Sequence, residues 1–196
     1  MPPDFRLIVG ISGASGVIYG IRLLEVLAAL DSVETHLVMT AAARRTILLE
    51  TAWDPKAVEE LADVTYRVGD IAAGISSGSF KVDAMIVVPC SMGTLSAIAH
   101  SASDNLLERA ADVTLKEHRP LVLVPRESPL HLGHLRMLVQ VAEMGAIVCP
   151  PMPAFYNHPS SVDALVDQTI GRLLDLLRID PGRDLAPRWT GSDARR

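Results

Sequence analysis

Two turns of small and hydroxyl-bearing residues could hold a phosphate: Ser12-Gly13-Ala14-Ser15-Gly16 and Cys90-Ser91-Met92-Gly93-Thr94. Each follows an aliphatic run and opens a helical pattern. Small side chains there let backbone N–H groups and the positive end of a helix dipole approach an anion. The glycines of the first turn read G-x-x-G-x-x-G from Gly10, not the G-x-G-x-x-G of dinucleotide binders. The second aliphatic run ends in Thr40, a hydroxyl, and not in an acid placed for a ribose 2′-hydroxyl, which disfavours NAD. A tight turn with close helix packing explains one such turn equally well; two in one sheet point to a phosphate-bearing ligand such as a mononucleotide.

Positive charge is available for that phosphate. Arg109, Asp112 and Lys116 share one helix face at i, i+3 and i+7, which reads either as a solvated salt-bridge ladder or as two cations offered to an anion. Arg126 at the end of another aliphatic run could join them, and Glu127 beside it is either an ion-pair partner or a general acid near a leaving phosphate. Other chemistry is less well supported. His131 and His134 have no third ligand nearby, so no metal site is expected. Cys90 lacks an identifiable base, and GASG around Ser15 is not the G-x-S-x-G elbow of hydrolases.

The elements that must position these residues alternate between short aliphatic runs and longer helical patterns, as in βαβ units with a parallel sheet covered on both faces. The runs predict strands at Arg6–Ile11, Thr35–Thr40, Ala84–Pro89, Leu121–Val124 and Ala146–Cys149. Helices are predicted near Val17–Ala29, Ala42–Glu50, Pro55–Ala62, Gly93–His100, Asn105–Glu117, Gly133–Met144 and Ser161–Leu177. The last carries Val162, Leu165, Val166, Ile170, Leu173, Leu174 and Leu177 at helical spacing, with Ser160 and Asp163 as its capping pair. The expectation is a single Rossmann-like α/β domain over 1–180, an open parallel sheet with helices on both faces, followed by a Pro/Gly/Arg/Asp tail over 181–196 that is either frayed or held by a neighbour.

At 196 residues and 49% hydrophobic content, the chain supports one buried core. Its net charge of -5 gives no broad footprint for nucleic acid or an anionic membrane. No apolar run reaches the roughly 20 residues of a bilayer span. The expectation is a soluble cytoplasmic protein, with Cys90 and Cys149 as small core residues outside any disulfide framework. Aromatic content is only 4%, which draws attention to Tyr156 and Trp189 in loops.

The stretches GISGASGVIYGIRLLEVL, PCSMGTLSAIA, DNLLERAADVTLKEHRPLVLVPRESPL, HLGHLRML and MPAFYNHP, with PRW near the end, closely resemble the UbiX flavin prenyltransferases over about Arg6 to Trp189. RAADVxLKExRPLVL followed by RExPL is far more specific than any glycine turn. The resemblance implies a homododecamer that holds FMN between subunits and joins the prenyl group of dimethylallyl monophosphate to N5 of reduced FMN, then closes a ring onto C6, without a metal. The product would pass to a separate UbiD-type decarboxylase.

By position, the resemblance implies that Gly13, Ala14, Ser15, Thr40, Ser91, Met92, Gly93, Thr94, Arg126 and Trp189 contact the flavin. It assigns Arg109, Lys116, Arg126, Glu127, Tyr156 and Arg172 to the phosphate of the prenyl donor, and Glu50 and Ser15 to proton handling during ring closure. The chain departs from the family pattern at Thr40-Ala41, where Ser-Lys is frequent, at Met92, and at His100-Ser101. None of these removes a residue assigned to catalysis. Two other readings compete: an FMN-dependent decarboxylase acting on a cysteine-type substrate, which would need no phosphate clamp, and a non-catalytic flavin carrier or partner subunit.

Overall fold

In the computed structural model, which describes residues 3–189 and 191, six parallel strands form one sheet. They are β1 (Phe5–Ile11), β2 (Val33–Met39), β3 (Val64–Tyr66), β4 (Ala84–Cys90), β5 (Leu121–Pro125) and β6 (Ile147–Val148), in the order β3-β2-β1-β4-β5-β6. The helices are α1 (Val17–Leu27), α2 (Ala41–Glu50), α3 (Pro55–Glu59), α4 (Met92–Ala99), α5 (Leu106–Lys116), α6 (Leu132–Glu143) and α7 (Val162–Leu177). All seven predicted helices and five predicted strands are present.

The two faces of the sheet are filled by the two-residue alternation of its strands. Leu7, Val9 and Ile11 of β1 enter a core with Val17, Ile21 and Leu24 of α1 and Ile170, Leu173 and Leu174 of α7. Ile8 of the same strand enters the opposite core with Leu95 of α4, Leu107 and Ala111 of α5, and Val141 of α6. Because both faces are covered, β4 is buried at every position, which is why it reads as an unbroken aliphatic run.

Helix α7 lies on the core as its apolar spacing requires, with Val166, Ile170, Leu173, Leu174 and Leu177 buried. Burying each of those leucines contributes on the order of 1.5–3 kcal/mol. Its Asp167 accepts a 2.7 Å hydrogen bond from Arg22 Nε, tying α7 to α1. The expected Ser160–Asp163 cap is not formed: Ser161 is the N-cap, its Oγ accepting from Ala164 N at 3.1 Å. Val162 is correspondingly outside the apolar stripe and 73% exposed.

The strand missed in the sequence is β3, three residues at the sheet edge. Its pairing is reinforced by a polar network: the buried His36 of β2 has Nδ1 2.9 Å from Tyr66 Oη and Nε2 2.8 Å from Glu34 Oε1. Of the expected 181–196 tail, residues 190 and 192–196 lie outside the described residues; the rest runs back along α7 and the loop after β6. Among the described residues no helix is long and apolar enough to cross a membrane.

Candidate functional site

The connectivity of the sheet reverses between β1 and β4, so α1 and α4 leave on opposite faces and open a crevice at the carboxyl ends of those strands. The two small-residue turns flank it. Ser12, fully buried, joins them: its Oγ donates to Pro89 O at 2.9 Å and accepts from Ser91 N at 2.7 Å. Ser91 caps α4, its Oγ accepting from Thr94 N at 3.3 Å and donating to Thr94 Oγ1 at 3.1 Å.

A third helix start adjoins these two. Thr40 N donates to Ile11 O at 3.0 Å, and Thr40 Oγ1 caps α2 by accepting from Ala43 N at 3.0 Å. Gly13 packs so closely on α2 that a Cβ would stand 2.3 Å from Ala42 Cβ, a contact no side chain tolerates. The starts of α1, α2 and α4 therefore gather around the ends of β1, β2 and β4, as a phosphate-bearing ligand requires. At α4 a Cβ on Gly93 would meet nothing nearer than Ser91 Oγ at 4.0 Å, leaving room for a ligand against the backbone. These residues fit FMN as far as its phosphate is concerned.

Glu50, at the end of α2, reaches back to the first turn, where its Oε2 accepts from Gly16 N at 2.8 Å. Gly16 is the N-cap of α1 with φ 94°, and no side chain of its own caps the helix. Ser15 is half-buried beside it. On the other side of the crevice, Arg126 N donates to Cys90 O at 3.3 Å, bringing Arg126 next to the Ser91 turn. Its side chain is exposed, as suits a charged residue just past the end of a buried strand. Glu127 is exposed as well and accepts from Ser128 N at 2.9 Å.

A second group gathers in a cavity of about 570 Å³ between the loop after β6, α7 and the tail. Tyr156, Arg172 and Trp189 all line it, with the rings of Tyr156 and Trp189 meeting edge-on at 5.6 Å. Arg188 fixes the tail by donating to both oxygens of Asp175 (2.9 and 3.1 Å) and to Asp184 at 2.7 Å. These two carboxylates hold the Arg188 guanidinium far above its ordinary pKa. Asn157 Nδ2 adds a bond to Pro187 O at 2.9 Å.

Arg109 and Lys116 join neither group within the chain. Arg109 donates to Asp112 at 2.8 Å and to Ser76 O at 3.2 Å. Lys116, exposed at the end of α5 that leads into the start of β5, pairs with Glu117 and holds its carboxyl below the usual range. That is the end of the sheet opposite the crevice, since α5 runs antiparallel to the strands it joins. The expected clamp of Arg109, Lys116 and Arg126 is thus not assembled in one protomer, and the i, i+3 ladder reading holds there for Arg109–Asp112.

The cysteines differ. Cys90 is fully buried at the end of β4, and burial pushes its thiol up to about 12. Cys149 lines the cavity, so it is not simply a core residue; partial burial raises its pKa, opposed by the positive charge of Arg172. His131 caps α6, its Nδ1 accepting from Gly133 N at 3.0 Å, and its ring lies 3.6 Å from that of His134. Among the described residues no three His, Cys, Asp or Glu side chains gather as metal ligands. Ser12, Cys149, Asp175, Arg183 and Arg188 are the site residues that sequence reasoning missed. Ser12 lay in the first small-residue turn, Cys149 had been read as a core thiol and Arg188 lay within PRW, whereas Asp175 and Arg183 lay in no stretch already singled out.

Residues 1–174 match the family model described as flavoprotein. The chain is 58% identical over 187 residues to flavin prenyltransferase UbiX of Escherichia coli K12, covering 95% of this chain and 99% of that one. Among solved structures, AnUbiX (PadA1) in complex with FMN and dimethylallyl pyrophosphate superposes with a TM-score of 0.93 at 49% identity, covering 96% of this chain and 98% of the other. A dodecameric FMN-dependent UbiX-like decarboxylase from Escherichia coli O157:H7 gives 0.91 at 49%, covering 95% and 100%. The FMN-dependent cysteine decarboxylase SpaF, at 20% identity and a TM-score of 0.61, shares the fold alone.

Proposed function

The chain belongs to the flavoprotein family and, within it, to the UbiX flavin prenyltransferases, and from that premise we propose that it transfers the dimethylallyl group of dimethylallyl monophosphate to reduced FMN, forming bonds at N5 and C6. The product is prenylated FMN, handed to a UbiD-type decarboxylase. The observation that carries this reading is the 58% identity over almost the full length of both chains. A cysteine-type decarboxylase has only a fold-level likeness behind it.

Residues 1–180 act as the flavin-binding domain and 181–196 as a C-terminal tail, whose segment 181–189 packs along the cavity wall. The crevice between β1 and β4 takes the flavin, with Gly13, Ala14, Ser15, Thr40, Ser91, Met92, Gly93, Thr94 and Arg126 around it and Trp189 contributed by the tail. The reduced flavin supplies the nucleophilic nitrogen and carbon; the chain supplies charge, orientation and proton transfer. A monophosphate leaves poorly unless its charge is neutralised, and guanidinium and ammonium donors strengthen as that charge grows. Tyr156 and Arg172 share one cavity, whereas Arg109, Lys116, Arg126 and Glu127 lie elsewhere in the protomer. A complete clamp therefore needs neighbouring subunits, in keeping with the dodecameric assembly of a relative 49% identical.

In the homododecamer, Lys116 and Arg109 of one subunit would face the Tyr156–Arg172 wall of another. Glu50 with Ser15, or Glu127 with the departing phosphate, moves the protons of ring closure. The reaction is metal-independent and its setting cytoplasmic. The test is anaerobic incubation with reduced FMN and dimethylallyl monophosphate, then mass spectrometry of the released flavin. A flavin heavier by one prenyl unit, lost in Lys116→Ala, is the expected result. Unaltered flavin that co-purifies with the protein would remove the assignment.

A further inference from the structure

We infer that Gln168 is a positioning residue for the prenyl donor: it sets the loop that carries Tyr156 at the cavity by fixing the Ala154 amide. The inference rests on the prenyl-transfer reading above, in which Tyr156 belongs to the phosphate site, and adds a residue to which that reading gives no role. Gln168, Arg172 and Asp175 stand at i, i+4 and i+7 on α7, so they share one face of the helix, and all three line the cavity. Asp175 holds the tail through Arg188. On the other side of Arg172, Gln168 holds the loop after β6: its Oε1 accepts from Ala154 N at 3.1 Å.

The composition of the loop makes that bond decisive. Pro150, Pro151 and Pro153 have no N–H, so Met152 and Ala154 are the only backbone donors between Cys149 and Phe155. Met152 N donates within the loop, to Pro150 O at 2.8 Å. Ala154 N is therefore the one backbone donor of 150–154 that reaches another element. Burial adds little, because Met152 is 76% exposed, Phe155 69% and Tyr156 48%. The edge-on contact of Tyr156 with Trp189 ties the loop to the tail and not to the helix.

The partner also fixes the orientation of the side-chain amide. A backbone N–H can only donate, so the atom facing Ala154 is the oxygen, and the amide nitrogen points the other way. Nε2 is buried with no hydrogen-bond partner among the described residues. A buried donor left unpaired is costly, and an apolar side chain would pack at this half-buried position without that cost. The oxygen is what the position uses.

The test uses Gln168→Met, which keeps the length of the side chain and removes the acceptor, Gln168→Glu, which keeps an acceptor, and Tyr156→Ala. Hydrogen exchange over 150–156 on the FMN-loaded protein follows the loop without turnover. Gln168→Met is expected to speed exchange at Ala154 about fivefold, the scale of one neutral hydrogen bond, and Gln168→Glu to restore the protection. In anaerobic prenylation, Gln168→Met is expected to lower kcat/KM for dimethylallyl monophosphate about fivefold with FMN affinity unchanged. In a Tyr156→Ala background the same substitution is expected to cost nothing further, because its effect runs through the loop. Wild-type exchange in Gln168→Met, an unchanged kcat/KM, a parallel loss of FMN affinity, or a loss of equal size with and without Tyr156 would each overturn the inference. A wild type that prenylates no flavin would instead overturn the prenyl-transfer reading, and exchange at Ala154 would still decide whether Gln168 holds the loop.

Discussion

The carboxylate of Glu50 caps helix α1 through the Gly16 amide, at 2.8 Å, across 34 residues of sequence. A negative charge at a helix N-terminus is stabilising, and here it also fixes the carboxylate beside Ser15 at the mouth of the crevice. Glu50→Gln retains an oxygen acceptor for Gly16 but can no longer shuttle a proton. We expect it to bind FMN normally and to slow prenyl-flavin formation by about 10² or more, the scale of a lost general acid–base group. Anaerobic rapid-quench kinetics check this. A rate within threefold of wild type would take Glu50 out of the proton path and leave it as a helix cap.

Ser12 is the covalent neighbour of one turn and the hydrogen-bond neighbour of the other, so the spacing between the two turns depends on its hydroxyl. Ser12→Ala leaves the Ser91 amide without its side-chain acceptor in a buried setting, at a cost of about 1–3 kcal/mol. We expect a lowered melting temperature together with weaker FMN binding, measured by fluorescence titration. A melting shift with unchanged FMN affinity would show that the bridge supports the fold but not the ligand.

The sequence made the covered strands legible because burial on both faces leaves only aliphatic residues, as in AMIVVPC of β4. It did not show β3, whose Val-Thr-Tyr at an edge carries no such constraint and is held through His36 and Glu34 of another strand. The turn residues at the switch point were readable from their small size. The ion pairs that redirect Lys116 to Glu117 and Arg188 to Asp175 and Asp184 were not, since helical spacing ranks local partners but says nothing of which end of the sheet a cation occupies. Ser161 in place of Ser160 as the α7 cap is a one-residue boundary error that propensity cannot resolve between adjacent serines.

The two thiols should separate by reagent and by pH. Cys149 borders an open cavity and Cys90 is sealed, so iodoacetamide is expected to label Cys149 first and Cys90 only after unfolding. Because burial raises the pKa of both, labelling of Cys149 should keep accelerating above the usual thiol range. Folding keeps the Cys90 proton on up to about 12, whereas the unfolded thiol loses it near its ordinary value. The folded state therefore binds more protons between those values, and stability falls as pH rises through that window. Cys90→Ala should flatten the decline in melting temperature above about pH 8.5; an identical decline in the variant would assign it to other groups.

The tail offers a test of how the cavity is kept closed. Arg188 is the only described side chain that bridges α7 and the tail by ion pairs, through Asp175 and Asp184. It is exposed, so its removal should hardly alter the melting temperature. The local consequence is different, because the 181–189 segment would then be held by Asn157 Nδ2 on Pro187 O, the Tyr156–Trp189 ring contact and the packing of Leu185. Arg188→Ala is expected to speed proteolytic cleavage within 181–189 and to raise KM for the prenyl donor more than it lowers kcat, since Arg183 and Trp189 lose their place on the cavity wall. Raising ionic strength in the wild type should move both readouts the same way, as screening weakens exposed pairs. Cleavage at the wild-type rate in Arg188→Ala would mean that packing and the Asn157 bond hold the tail, and that the ion pairs follow from its position without setting it.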